Sequence, residues 1–160
     1  IIEHAMTVLK NLLHRGATGC EENTGDGAGI LLQMPDKFFR KVCGEAAITL
    51  PAKGHYGAGA IFLPPKSESA AACQAIFERI IAEENQTLCG WRELPTDDSP
   101  IGPTAKSSEP EFKQIFIGKN AAIEDLDAFE RKLYVIRKRD EHEILNSEIE
   151  GKEYFYIPSL

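Results

Sequence analysis

The chain has 160 residues, 42% of them hydrophobic, enough to bury one sizeable core and no reason to expect two domains. Lys and Arg number 18 against 25 Asp and Glu, a net charge of −7 at pH 7, so the chain lacks the broad positive field that gathers nucleic acid. No apolar run approaches the ~20 residues needed to cross a bilayer, and Cys20, Cys43, Cys73 and Cys89 fall without the paired spacing of a zinc site.

The four cysteines read as reduced, cytosolic-type thiols; the alternative, two disulfides, supplies staples that a core of this size does not need. The chain opens on Ile1-Ile2-Glu3-His4 rather than Met and closes on a strand-like Tyr154-Phe155-Tyr156-Ile157, so both ends read as cut.

Ile2, Ala5, Met6, Leu9, Leu12 and Leu13 recur at helical spacing and share one face, and Gly16 is expected to stop that helix. A loop rich in Gly, Asn, Thr and Asp follows to residue 29. Residues 30–34 form a short apolar run that suits a buried strand. Pro35-Asp36 ends it and opens a helix containing Phe38, Phe39 and Val42. Residues 54–63 have the content of a strand, with Gly57 and Gly59 placed for close backbone approach. After Pro64-Pro65, Cys73, Ile76, Phe77, Ile80 and Ile81 mark a long helix over 67–84, with Ser67 as its N-cap.

Residues 88–94 read as a strand carrying Trp91, which is most simply core, and 95–110 as a long proline-bearing loop of the kind that lines or covers a site. A strand over 112–117 precedes the longest helix, 125–146, with Leu126, Phe129, Leu133 and Ile136 inward. The mixed charges of 137–143 read as a solvated helix face with i,i+4 pairs. The alternation of helices and strands with irregular connections fits an α+β or layered αββα architecture. Gly25-Asp26-Gly27-Ala28-Gly29 contains GxGxG, but it precedes a strand instead of opening a helix, which disfavours a dinucleotide fold.

The stretch with most chemical content is HRGATGCEENTGDGAGIL, residues 14–31. Its HRGA and GDGAGIL resemble the class II glutamine amidotransferase domain of glutamate synthases. Gly90-Trp91-Arg92 with Leu94-Pro95-Thr96-Asp97, then Glu109-Pro110, then residues 154–160 resemble the same family in the same order. On this resemblance, residues 1–160 are a partial domain of that type. It implies an N-terminal nucleophile hydrolase fold, an αββα sandwich of two antiparallel sheets, here incomplete for want of its first strand and C-terminal part.

The resemblance also implies a chemistry. An N-terminal cysteine attacks the side-chain amide of glutamine with its own α-amino group, of pKa ~8, as base. A glutamyl thioester and ammonia result, and the ammonia passes to a synthase centre that makes glutamate from 2-oxoglutarate. Residue 1 is Ile, and the chemistry needs thiol and free α-amine on one residue, so none of the four cysteines can substitute. The nucleophile is expected upstream of Ile1 and the oxyanion donors beyond Leu160, which makes the isolated chain inactive. Arg15 would stand beside the missing nucleophile, and Arg15, Gly16, Asp26 and Gly27 would line the glutamine pocket. The resemblance gives this chain no cofactor or metal. It places FMN and an iron-sulfur cluster in other domains of the same parent chain, together with the synthase partners. The expected setting is cytoplasmic, or a plastid in a plant or alga, without membrane or nucleic-acid partners. Self-association through the truncated sheet edges is expected.

Read without the resemblance, Arg15 is a helix-end arginine bonded to its own helix's last carbonyls, His14 a histidine bonded to backbone, and Asp26 an Asx-turn residue. Another reading of the whole is a non-catalytic module that keeps the fold and binds a glutamine-like ligand or a protein.

Overall fold

A computed structural model of the chain describes residues 2–17, 21, 29 and 32–160. The chain divides into two compact units, one of Ile1–Pro35 and Thr96–Glu109, the other of Asp36–Pro95 and Pro110–Leu160.

In the first unit the apolar period produces helix α1 (Ile2–Asn11), followed by one 3-10 turn (Leu13–Arg15). The expected glycine stop does not occur. The helix has already ended at Asn11, Leu12 sits at φ −92°, ψ 2°, and Gly16 is extended at φ −79°, ψ 148°, a conformation open to any residue. No described residue of α1 is buried: Ile2, Met6 and Val8 are exposed, as are Leu12 and Leu13 just after the helix.

The strand expected over 30–34 is not found where it can be seen. Ile30 and Leu31 lie outside the described residues, and residues 32–34 are irregular with Leu32 and Met34 exposed. A short apolar run becomes a strand only when a neighbouring backbone completes its hydrogen bonds, and none of the described strands pairs with it. Within the expected 95–110 loop lies a short helix, α4 (Pro103–Ser107), with Gly102 as N-cap and Pro103 at its first position, where the missing N–H is no loss.

The second unit follows the sequence closely. It contains α2 (Asp36–Glu45), β1 (Tyr56–Leu63), α3 (Ser67–Glu83), β2 (Thr87–Glu93), β3 (Glu111–Gly118), α5 (Leu126–Leu145), a 3-10 turn (Lys152–Tyr154) and β4 (Tyr156–Ser159). The strands make one antiparallel sheet in the order β2-β3-β1-β4. Lys66, not Ser67, caps α3, and it makes no side-chain bond there; Asp125 caps α5 by accepting from Asp127 N at 3.0 Å.

The period of two in β1 sends Gly57, Gly59, Ile61 and Leu63 to one face and Tyr56, Ala58, Ala60 and Phe62 to the other. Helices α3 and α5 cover the first face. Phe77, Ile80 and Ile81 of α3 meet Leu133, Ile136 and Ile144 of α5 over Ile61, Ile115, Ile117 and Ile157. Each such fully buried side chain contributes about 1.5–3 kcal/mol relative to exposure. The close approach expected at Gly57 and Gly59 is present: a Cβ on Gly57 would stand 2.6 Å from Leu133 Cδ1, and one on Gly59 2.9 Å from Ser159 O.

Helix α2 covers part of the second face, setting Phe39 edge-on to Phe116 at 5.3 Å, with Cys43, Leu50 and Tyr56 around them. Asp36, in the first turn of α2, accepts from Arg40 Nε and Tyr56 OH, both at 3.0 Å, which pins the helix to β1. Burial, then that bond, pushes the Tyr56 phenol up to about 12. Further along this face Phe62 packs on Phe112 at 4.5 Å and lies 6.2 Å from Tyr156, a residue 56% exposed.

The charge run of 137–143 is not one solvated face. Arg137 and Lys138 both pair with Glu141, as an exposed helix face would have it. Arg139 reaches Glu83 and Glu84, Glu143 reaches Arg79, and Asp140 is fully buried. The run lies at the seam of two helices, so its period divides it between seam, solvent and core.

Candidate active site

Arg15 closes the 3-10 turn, its N–H donating to Leu12 O at 2.9 Å, and Gly16 N donates to Leu13 O at 3.1 Å. Both residues are exposed, so the turn presents the guanidinium at the head of the loop that follows. Five donors in a rigid fork match a carboxylate. His14 Nδ1 bonds Asn11 O at 3.0 Å, the backbone role expected for it, in an exposed setting.

Asp26 and Gly27, the other two expected pocket residues, lie outside the described residues, as do Gly25 and Cys20. Gly29 is exposed, and among the described residues a Cβ there would meet nothing within 4 Å.

A residue not singled out from sequence ties this loop down. Glu21 Oε1 accepts from Thr104 N at 3.1 Å, at the N-terminus of α4. A carboxylate is favoured there by the unsatisfied N–H groups and the positive end of the helix. Gly102 makes the approach possible, since a Cβ at that position would run into the Glu21 carboxylate. Glu21 and the start of α4 are thereby joined within one unit. Gly102-Pro103, a cap residue followed by proline, was the available sequence signal.

The cysteines are not site residues where they can be seen. Cys43, Cys73 and Cys89 are free thiols; Cys43 and Cys73 are buried and Cys89 half-buried. Burial pushes all three up, Cys73 to about 11, the opposite of an activated nucleophile. Trp91, expected in the core, is half-buried at its edge: its ring meets Phe77 edge-on at 5.6 Å and Nε1 donates to Glu78 at 2.9 Å.

Among the described residues no group of three or more His, Cys, Asp or Glu is placed to hold a metal ion, and no helix is long and apolar enough to cross a membrane. Two open hollows of the second unit, one along Arg139, His142 and Asn146, the other along Gln86, Asn120 and Lys132, are lined by groups already bonded. Asn146 Nδ2 donates to His142 O, and Gln86 accepts from Asn120 N.

An antiparallel α/β fold, an arginine turn heading a glycine-rich loop, and a capped proline segment joined to it agree with one class of enzyme domain. The sequence pattern of the glutamine amidotransferases class-II matches residues 1–160, and the chain belongs to that family. Its relatives narrow this further. It is 42% identical to the glutamate synthase [NADPH] large chain of Bacillus subtilis (strain 168) over 142 residues, 89% of this chain and 9% of that one. It is 38% identical to glutamate synthase [NADH] of Schizosaccharomyces pombe over 166 residues, covering 100% of this chain and 8% of that protein. With the ferredoxin-dependent glutamate synthase 1, chloroplastic/mitochondrial, of Arabidopsis thaliana the identity is 31% over 98% of this chain and 10% of the relative. The chain thus spans about a tenth of the length of these relatives.

Proposed function

We propose that this chain is part of the glutaminase domain of a glutamate synthase, and that Arg15 and the loop it heads form one wall of the glutamine pocket. The observation that carries this is the family match over residues 1–160, with the motif loop fastened to the 95–110 segment by Glu21 and Thr104. Arg15 and Gly16, with Asp26 and Gly27 from the same loop, would receive glutamine. The exposed guanidinium suits the substrate's carboxylate, and holding it fixes the side-chain amide for attack.

The attacking group in this reading is a cysteine carrying its own α-amine. Cys43, Cys73 and Cys89 do not qualify, with their thiols inside the second unit and pushed up by burial. Attack on the amide carbon releases ammonia and leaves a glutamyl thioester, which water cleaves to glutamate. The ammonia serves reductive glutamate synthesis from 2-oxoglutarate elsewhere in the longer protein. FMN and the iron-sulfur cluster of that step would be held by other domains: a cluster needs grouped thiolates, and the three described cysteines are divided between the two faces of the sheet. The cytoplasm is the proposed compartment, with a plastid for a photosynthetic eukaryote.

We read the complete domain as an αββα sandwich. The face of the sheet away from α3 and α5 supports this, because Phe62, Phe112 and Tyr156 form an apolar platform suited to a second sheet. Replacing Arg15 with Ala in the full glutamate synthase is expected to lower kcat/KM for glutamine by about a hundredfold or more, in line with loss of a charge-assisted contact. Turnover with added ammonium salt should fall far less. An Arg15→Ala enzyme whose glutamine-driven rate is unchanged would sink the assignment.

A further inference from the structure

The inner stripe of α5 reads Phe129, Leu133, Ile136, Asp140 and Ile144, a carboxylic acid in an otherwise apolar row. Asp140 is fully buried, and neither Oδ1 nor Oδ2 has a hydrogen-bond partner. An ionised carboxylate left alone in such a place is so poorly solvated that the group keeps its proton instead.

The two nearby cations do not reverse that balance. The charges felt by Asp140 come from Glu143, Arg139 and Glu141 on α5 itself and from Arg79 on α3. Arg139 is engaged with Glu83 and Glu84, and Arg79 with Glu83 and Glu143. Glu141 is engaged with Arg137 and Lys138. The sheet contributes Ile61, Leu63 and Ile157 to this core, and the segment before β4 contributes Phe155, all apolar. Lys152, in the neighbouring 3-10 turn, donates to Ser147 O. Burial, then the Glu143 charge, pushes the Asp140 carboxyl up to about 8.

We infer that the docking of α5 against α3 and the sheet is proton-linked: the docked helix holds Asp140 as the neutral acid, and a helix that opens gives that proton to solvent. In the opened chain the carboxyl ionises near ~3.9. Between that value and about 8 the docked state therefore binds one more proton than the open state. Docking is strongest at the acid end of this window and weakens as pH rises through it, by about tenfold in the opening equilibrium per pH unit. Above the upper value both states are ionised and the dependence ends.

The test is peptide-resolved hydrogen exchange of α5 in the intact protein, from pH 6 to pH 9, corrected for the intrinsic rise of exchange with pH. The wild type should show an opening constant that climbs about tenfold per unit up to about pH 8 and then levels off. Asp140→Asn, isosteric and unable to ionise, should remove the slope, and Asp140→Leu should remove it and also protect α5 at pH 8. A wild type with no slope overturns the inference, as does a slope that survives in both variants. If one variant fails to fold, the other still reads the slope.

Discussion

The two units of this chain carry different kinds of information. The first holds the motif by which the family is recognised, yet none of its described residues is buried. The second holds every buried residue among those described, including Phe77, Phe116 and Phe129 at 2% exposure or less, and no expected site residue. A site wall is specified by backbone turns and a few polar contacts, whereas stability comes from apolar area, so residues that matter most for chemistry need contribute little to holding the fold.

Three substitutions would break or sharpen that contrast. Phe77→Ala removes the centre of the α3–α5–sheet cluster and the edge-on contact with Trp91. It is expected to cost about 3–5 kcal/mol, read as a lower denaturation midpoint at unchanged slope. Gly57→Ala drives a methyl to 2.6 Å from Leu133, itself 2% exposed. The expected cost is about 1–3 kcal/mol, and combined with Leu133→Ala the two costs should sum to less than their separate values, since shortening Leu133 makes the room that the added methyl fills. Glu21→Ala, in the first unit, should loosen α4 by about 0.5–1 kcal/mol, seen as faster amide exchange at residues 103–107, with global unfolding unmoved. A global loss as large as that of Phe77→Ala would mean that the two units do not divide the labour as described.

The same contrast explains what could be read before the structure was seen. In the second unit β1, β3, α3 and α5 lie within about two residues of expectation, because period and burial agree there: Ile76, Phe77, Ile80 and Ile81 all pack on or within the core cluster. In the first unit the period placed α1 correctly but said nothing about a partner for its apolar face, and it suggested a strand at 30–34 whose described part pairs with no neighbour. An amphipathic pattern names the face and not what covers it. The candidate site was legible as a motif, through Arg15 and Gly16, but its fastening was not. Glu21 meets Thr104 across 83 positions, and no local rule links a loop carboxylate to a helix start so far along the chain. Asp140 was hidden for a different reason, since a run of charges invites the solvated reading and only the packing shows which of them turns inward.

The charged seam between α3 and α5 has a further consequence. Arg79, Glu83, Glu84, Lys132, Arg139 and Glu143 are mostly a third or more exposed, so salt screens them and their net contribution to stability is small. What they supply is alignment. An apolar stripe such as Phe129, Leu133, Ile136 and Ile144 can slide against another helix by one turn, about 5.4 Å, with modest change in buried area. Such a slip would carry Arg139 and Glu143 away from their partners on α3 together. The outer charges thus act as a vernier for the inner contacts, and in selecting one setting they also settle which side chain of α5 must sit in the dark centre of the protein.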